Sequence, residues 1–378
     1  MRARSALTNT KSINEWALRN LSAWMENRNI LIPDDPVPSD LLSCADASVL
    51  CKWLCCFVQE TKKENGLPYP ATTLRSLLAA IQRVLHSNKI PLNLFDKSDM
   101  RFRDLHMTLD TVCVSLRKEG VGAEVKHATV ISIEHEETLW KNGVLGVNSP
   151  ESLLRTVFYT VGLYFSLRGG QEHRDLKCSQ FSRVPASGYS AQTFYQYVEN
   201  GSKNYQGRFC ETGQSNKIVR AYAQPNSESR CPVRILDLYL SKLAPGSTAF
   251  YMQPKQKAPS DSSQPWFKIT PVGVNPLKGM MTKISQLAGL PVKYTNHSLR
   301  ATSASRMFAS GVPEKIVTEM TGHKSVKALR QYERTTEEQF QAVGHSISRM
   351  QTFDSQSTIE TVSTSQVKEE TLGFSIDE

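Results

Sequence analysis

His297, Arg300, His323 and Tyr332 stand in order near one end of the chain, separated by 3, 23 and 9 residues. A tyrosine hydroxyl is a poor nucleophile at neutral pH, because its proton leaves only near pKa ~10. It becomes competent where cations neutralise the developing charge and a neighbour manages its proton. The run from Tyr294 to Arg334 holds both kinds of helper. Breaking a phosphodiester without a metal requires a nucleophile, neutralisation of the non-bridging oxygens and a proton for the departing oxygen. Arginine suits the second task, because its planar guanidinium holds phosphate oxygens in a fixed fork. Each of these residues alone is ordinary; the ordered set is the signal. Magnesium chemistry would need converging carboxylates, and Glu314, Glu319 and Glu333 of this run form no obvious site.

Helices must position these groups. His297 and Arg300, three apart, share a helical face or its leading turn. Ala301, Ala304, Met307 and Phe308 pack that helix down, and Gly311 ends it. Pro313 suits the first turn of the next helix, with Ile316, Val317 and Met320 facing inward, and Gly322 closes it. His323 then falls at a tight turn, and Ser325 caps a last helix carrying Val326, Leu329 and Tyr332.

Upstream, residues 1–120 read as a helical domain. Ser12 and Glu15 have capping-box spacing ahead of Trp16, Leu18, Leu21, Trp24 and Met25. Further stripes follow at Val49–Val58, at Leu74–Leu85 with Thr72 or Thr73 as cap, and at Phe102–Leu116. Polar residues 120–129 form the linker, and a second domain spans 130–349. It opens with helices around Glu136–Trp140 and Leu153–Phe165. From Gln180 to Lys217 short runs predict a small antiparallel sheet, with Tyr195 and Tyr197 on one face and Phe194, Gln196 and Val198 on the other. Helices return at Val233–Leu243 and Leu277–Ala288, and Ala244–Pro271 between them reads as a surface loop.

The 378 residues carry a net charge of +9. Residues 350–378 hold six acids against Lys368, which leaves +14 on residues 1–349. Such a body favours a polyanion through counterion release. The acidic, Ser- and Thr-rich tail reads as disordered, and Val367-Lys368-Glu369-Glu370 has the form of a sumoylation acceptor. No apolar run approaches the ~20 residues of a membrane helix, so a soluble, intracellular protein with reduced cysteines is expected. Cys51, Cys55 and Cys56 cluster without ligand spacing and read as buried thiols.

The ordered box resembles that of the tyrosine recombinases, the phage-integrase class. The runs Leu167–Leu176, Gly201–Lys203, Trp266-Phe267, Asn296–Arg300, Thr321–Ser325 and Tyr332–Arg334 are similar to its eukaryotic Crypton branch. The resemblance covers roughly residues 8–345. It implies a mainly α fold with a small antiparallel sheet, in which a helical core-binding domain and a catalytic domain form two halves of a clamp on double-stranded DNA. Cleavage and rejoining run through a 3′-phosphotyrosine on Tyr332, with no metal or cofactor. Arg168 and Arg300 clamp the phosphate, and His297 and His323 bind its oxygens. A hairpin lysine protonates the 5′ oxygen; Lys203 is expected, with Lys217 as competitor. The family acts as a tetramer on DNA, and the DNA partner implies the nucleus. An acid usual three residues after the first arginine is replaced here by Gln171, with Glu172 one later as a supporting residue, while Arg174 is expected on the DNA backbone. A non-catalytic, domesticated DNA- or chromatin-binding protein is the alternative, and a type IB topoisomerase shares the tyrosine chemistry.

Overall fold

Apolar stripes in the N-terminal third close into α1 (Arg2–Leu31), α2 (Ala47–Glu60), α3 (Ala71–Ser87) and α4 (Arg103–Lys118). The computed structural model describes residues 2–123, 127–188, 190–200, 217–261, 263–323, 325–333 and 337–352. The chain divides into two compact units, Met1–His127 and Ala128–Glu378.

In the first unit Leu50, Trp53, Leu54 and Phe57 of α2 meet Leu74, Leu77, Leu78 and Ile81 of α3 in one core. Each such side chain contributes ~1.5–3 kcal/mol when fully buried, which offsets the entropy of ordering the helices. Ser12 does not cap a helix here, because α1 runs straight through it; Glu15 lies 3.9 Å from Lys11, one turn back. The preceding residues include Arg, Ala and Leu and no glycine or proline, so nothing stops the helix from extending. Neither Thr72 nor Thr73 caps α3. The helix starts behind Pro70, whose carbonyl accepts the Thr73 and Leu74 N–H groups at 2.8 and 3.1 Å. Cys51 is buried, and Cys55 and Cys56 are half-buried, all three as free thiols. Burial pushes Cys55 up to about 11, so it stays protonated at neutral pH.

The second unit comprises α5 (Ile133–Lys141), α6 (Pro150–Tyr164), α7 (Gly170–Arg174), β1 (Phe181–Val184), β2 (Phe194–Val198), β3 (Ile218–Tyr222) and α8 (Pro232–Ser241). It continues with β4 (Met252–Pro254), β5 (Phe267–Pro271), α9 (Val274–Lys278), α10 (Met280–Leu287), α11 (Asn296–Ala309), α12 (Glu314–Thr321), α13 (Val326–Arg330) and α14 (Glu337–Thr352). Helix α6 is buried from Ser152 to Gly162 except at Arg155, and its neighbours α8, α10 and α11 pack around it. An uninterrupted apolar surface of this kind can only be satisfied at the centre of a core.

Strands β1, β2 and β3 form an antiparallel sheet in that order, with Phe181 opposite Tyr197 and Tyr197 opposite Val219. Period-2 alternation puts Tyr195 and Tyr197 on one face, as expected; that face is buried, and Phe194 on the other face is buried as well. Ala244–Pro271 is not simply a surface loop. It contains β4 and β5, paired antiparallel, and Phe250, Tyr251 and Met252 are buried. Flanking Pro, Ser and Gln residues hide this short apolar run from a reading by composition. The single helix expected at Leu277–Ala288 is split at Gly279, where α9 ends and α10 begins; interior glycine weakens a helix by ~1 kcal/mol. Residues 353–378, including Lys368, lie outside the described residues. Among the described residues no helix is long and apolar enough to cross a membrane.

Gly169-Gly170 turns the chain between α6 and α7, and the two glycines are not equivalent. A Cβ on Gly170 would sit 2.5 Å from the Lys278 backbone nitrogen, whereas one on Gly169 meets nothing within 4 Å. Gly170→Ala should therefore destabilise the protein by about 1–3 kcal/mol in urea unfolding. Gly169→Ala should stay within about 0.5 kcal/mol; equal losses would refute the close approach of α7 and α9.

Candidate active site

The C-terminal end of α6 supplies the floor of the site. Phe165 caps the helix, and Ser166 follows with φ +49°, a left-handed conformation unusual for a residue other than glycine. Ser166 is fully buried and its hydroxyl is 2.6 Å from that of Ser303 on α11, which anchors the strained turn. The carbonyls of Phe165 and Ser166 are thereby left to accept from cations, which the negative end of a helix favours.

Two cations take them. Lys217 Nζ donates to Phe165 O at 2.6 Å, and Arg300 Nη1 donates to Ser166 O at 2.6 Å. Arg300 stands on α11, whose first turn is fixed by a capping box between Thr295 and Ser298. Its side chain is 3% exposed. Arg168, just past the same α6 turn, sends Nη2 to Gly322 O at 3.1 Å, and its Nη1 lies 3.9 Å from Glu172 Oε1. Glu172 also accepts the Arg168 backbone N–H, so this carboxylate fixes both ends of the arginine. Gly322 ends α12 with φ +66°, and that turn aims its carbonyl at Arg168.

His323 follows directly. Its imidazole lies 3.3 Å from Arg300 Nη2 through Nε2 and 2.7 Å from Thr321 Oγ1 through Nδ1. Thr321 donates its hydroxyl proton to Val317 O at 2.6 Å, so Nδ1 is assigned the ring proton and Nε2 accepts from the arginine. Burial, with Arg300, Arg168 and Lys217 close by, pushes His323 down to about 3, and the imidazole is neutral at physiological pH. Burial and Arg168 also lower Arg300, to about 10, against opposition from Glu172, Tyr332 and Glu199. It still carries its charge at neutral pH.

The Tyr332 ring packs beside His323, centroids 5.4 Å apart, and rests on a small cluster formed by Ala304, Val317 and Leu329. Ser305 Oγ donates to Tyr332 O at 2.8 Å, tying the tyrosine backbone to α11. Helix α13 that leads to it is capped by Ser325, which accepts from Ala328 N. Val326 faces out, because only Leu329 of this five-residue helix reaches the cluster.

The expected site residues thus divide into three groups. Arg168, Arg300, His323 and Tyr332 come together. His297 is exposed on the first turn of α11, one turn before Arg300. Lys203 lies outside the described residues. Lys217 is described, and it is in the cluster. The residue is partly exposed along its length, while its ammonium sits in a dense protein environment. Burial and Arg300 bring it down to about 7, with Glu172 and Glu199 opposing and Arg168 adding to the depression.

Sequence reasoning missed Ser166 and Glu199. A left-handed serine leaves no local pattern. Glu199 does leave one: it continues the Tyr195, Tyr197 alternation by one step, onto the buried face, and it is 5% exposed. Arg174 ends α7 and is half-buried.

Three sequence families match parts of the chain, the last two overlapping: the QRICH1 domain at residues 11–115, a domain of unknown function, DUF3504, at 130–286, and the Phage integrase family at 248–339. Zinc finger MYM-type protein 3 of Mus musculus is 27% identical over 265 residues, 66% of this chain and 18% of that protein. Transcriptional regulator QRICH1 of Bos taurus is 26% identical over 284 residues, 71% of this chain and 34% of its own length. The chain therefore spans about a fifth to a third of the curated relatives it matches. Among solved structures, the Tn1549 transposon integrase in complex with transposon right-end DNA overlaps 90% of this chain and 94% of its own, at 14% identity and TM-score 0.47. The segment that holds His297, Arg300, His323 and Tyr332 is similar to the Phage integrase family, and the fold around it is mainly helical with two small antiparallel sheets.

Proposed function

We propose that the second unit cleaves and rejoins DNA through a covalent tyrosyl phosphate. The observation that carries this reading is the convergence of Arg168, Lys217 and Arg300, far apart in sequence, beside an imidazole that packs at a tilt against Tyr332. Three cations against Glu172 and Glu199 leave a net positive pocket suited to one phosphodiester.

In the proposed step Tyr332 Oη attacks phosphorus and forms a new P–O bond, while the bond to the 5′ oxygen breaks. Lys217 Nζ gives that oxygen its proton, and the His297 imidazole is the proposed acceptor of the phenolic proton, because His323, at about 3 and with both ring nitrogens engaged, is too weak a base. Arg168 and Arg300 carry the charge on the non-bridging oxygens. Attack by a 5′ hydroxyl on the phosphotyrosine reverses the sequence, so the bond energy is kept and no cofactor is consumed. Lys203, the acid expected from the sequence, lies outside the described residues and is the alternative for this role. DNA as partner, a tetrameric assembly, Crypton ancestry and action in the nucleus belong to this same reading. Its support is the Phage integrase match over 248–339 and the basic body of the chain.

A second reading is favoured by one relative's printed name, a transcriptional regulator: the site binds DNA without cutting it. The test is to incubate the full chain with nicked DNA whose short downstream fragment, released with a 5′ hydroxyl, diffuses away on cleavage, then search for a species that survives SDS. An adduct whose peptide carries phosphate on Tyr332 supports cleavage. Salt-sensitive DNA binding without adduct across a broad DNA pool supports the regulator reading. Arg300→Ala should slow adduct formation by about 10²–10³-fold while binding falls only several-fold, because one charge-stabilising group is lost. A rate that falls only in step with binding would reduce Arg300 to an anchor.

A further inference from the structure

We propose that Glu199 is the positioning residue for Lys217, acting as its cross-strand partner on the buried face of the sheet. Register supplies the geometry. Val198 is opposite Ile218, and the next pair is closed by Glu199 N donating to Lys217 O at 2.9 Å. Tyr195, Tyr197 and Glu199 lie on one face of β2, while Lys217, Val219 and Ala221 lie on the matching face of β3. The first pairs of that face are buried apolar residues; the last is a carboxylate with an ammonium. Opposite charges at such a position attract across the strands.

A glutamate at 5% exposure costs free energy unless it is compensated, and Lys217 is one cation close enough to feel its charge. The groups that face Lys217 are Arg168, Glu172 on α7, Glu199 at the end of β2, Arg300 on α11 and His323 after α12. The two arginines and burial favour loss of the lysine proton, and the two glutamates retain it. Glu172 is already engaged with Arg168. Glu199 is the carboxylate aligned with Lys217 by the sheet itself. It therefore raises the share of Lys217 that is protonated near neutral pH and parked at Phe165 O when a phosphate enters, which makes the acid available without a second proton donor.

This inference rests on the cleavage reading only for its catalytic consequence, so the test has two arms. In the first, the full chain carries ¹³C-labelled lysine, and the Lys217 signal, assigned with Lys217→Arg, is followed against pH by NMR. In Glu199→Gln the midpoint should fall by about one pH unit, a tenfold loss of proton affinity. Glu199→Asp should restore most of it, which separates charge from folding defects. An unchanged midpoint in a folded Glu199→Gln protein overturns the proposal. In the second arm, adduct formation is compared on ordinary DNA and on DNA with sulfur as the 5′ bridging atom, a leaving group that needs no acid. Glu199→Gln should lose at least about tenfold at pH 8 on the oxygen ester and little on the sulfur ester. Equal losses on both esters overturn the positioning role. Absence of adduct from the unaltered protein on both overturns the cleavage reading instead, and the titration alone then judges Glu199.

Discussion

Tyr332→Phe is expected to eliminate the SDS-stable DNA adduct, a loss of at least about 10⁴-fold, because the only atom removed is the proposed nucleophile. The substitution is well controlled by its surroundings. The ring rests on Ala304, Val317 and Leu329, contacts that phenylalanine retains. Ser305 holds the backbone carbonyl of residue 332, not the phenol. Stability should therefore stay within about 0.5 kcal/mol, and DNA affinity within twofold. Thermal melting and salt-dependent binding check those two expectations in parallel. An adduct that persists in Tyr332→Phe would place the nucleophile elsewhere, whatever the cluster around Arg300 looks like.

The second large effect belongs to Lys217→Met. If Lys217 is the acid, adduct formation on ordinary DNA should fall by about 10²–10⁴-fold, and the sulfur ester should be spared. Loss on both esters would return the role to Lys203. The same variant makes a prediction about stability that needs no catalysis. Lys217 is depressed from 10.5 to about 7 in the folded protein. Between those values the unfolded chain binds more protons, so stability rises with pH across that window. The lysine's contribution is fully present above 10.5 and is lost as pH falls through about 7. The difference in unfolding free energy between the unaltered protein and Lys217→Met should therefore grow with pH from about 7, by at most about 1.4 kcal/mol per pH unit. Urea unfolding at pH 7, 8 and 9 measures it, and a flat difference would mean that the ammonium is well solvated.

These effects share an origin in the corner made by α6 and α11. Gly162 on α6 lies against Leu299, and a Cβ there would come within 2.5 Å of Leu299 Cδ1. Leu299 is the neighbour of Arg300, so the spacing of the two helices also sets where the guanidinium meets Ser166 O. A side chain at 162 would force the buried Leu299 side chain to shift.

Much of this was legible from local pattern. The i, i+3, i+4 stripes mark α2 and α3, and Gly311, Gly322 and Ser325 mark the ends of α11, α12 and the start of α13, because helix periodicity and capping are properties of neighbouring residues. The ordered His297, Arg300, His323 and Tyr332 spacing was legible for the same reason: α11 carries the first two, and the ends of α12 and α13 set the turns that hold His323 and Tyr332, not the last helix expected to carry the tyrosine. Other features required the folded chain. The pairing of β4 with β5 depends on a partner beyond a long Pro- and Ser-rich segment. The left-handed Ser166 is held by Ser303, which is distant in sequence. The choice of Lys217 as the described lysine in the cluster depends on the β2–β3 register, which also brings Glu199 to it. Sequence by itself marked residue types able to do the proposed chemistry and the helices around them. Only tertiary structure decided which of them share one desolvated corner, because burial and charge proximity are set by long-range packing.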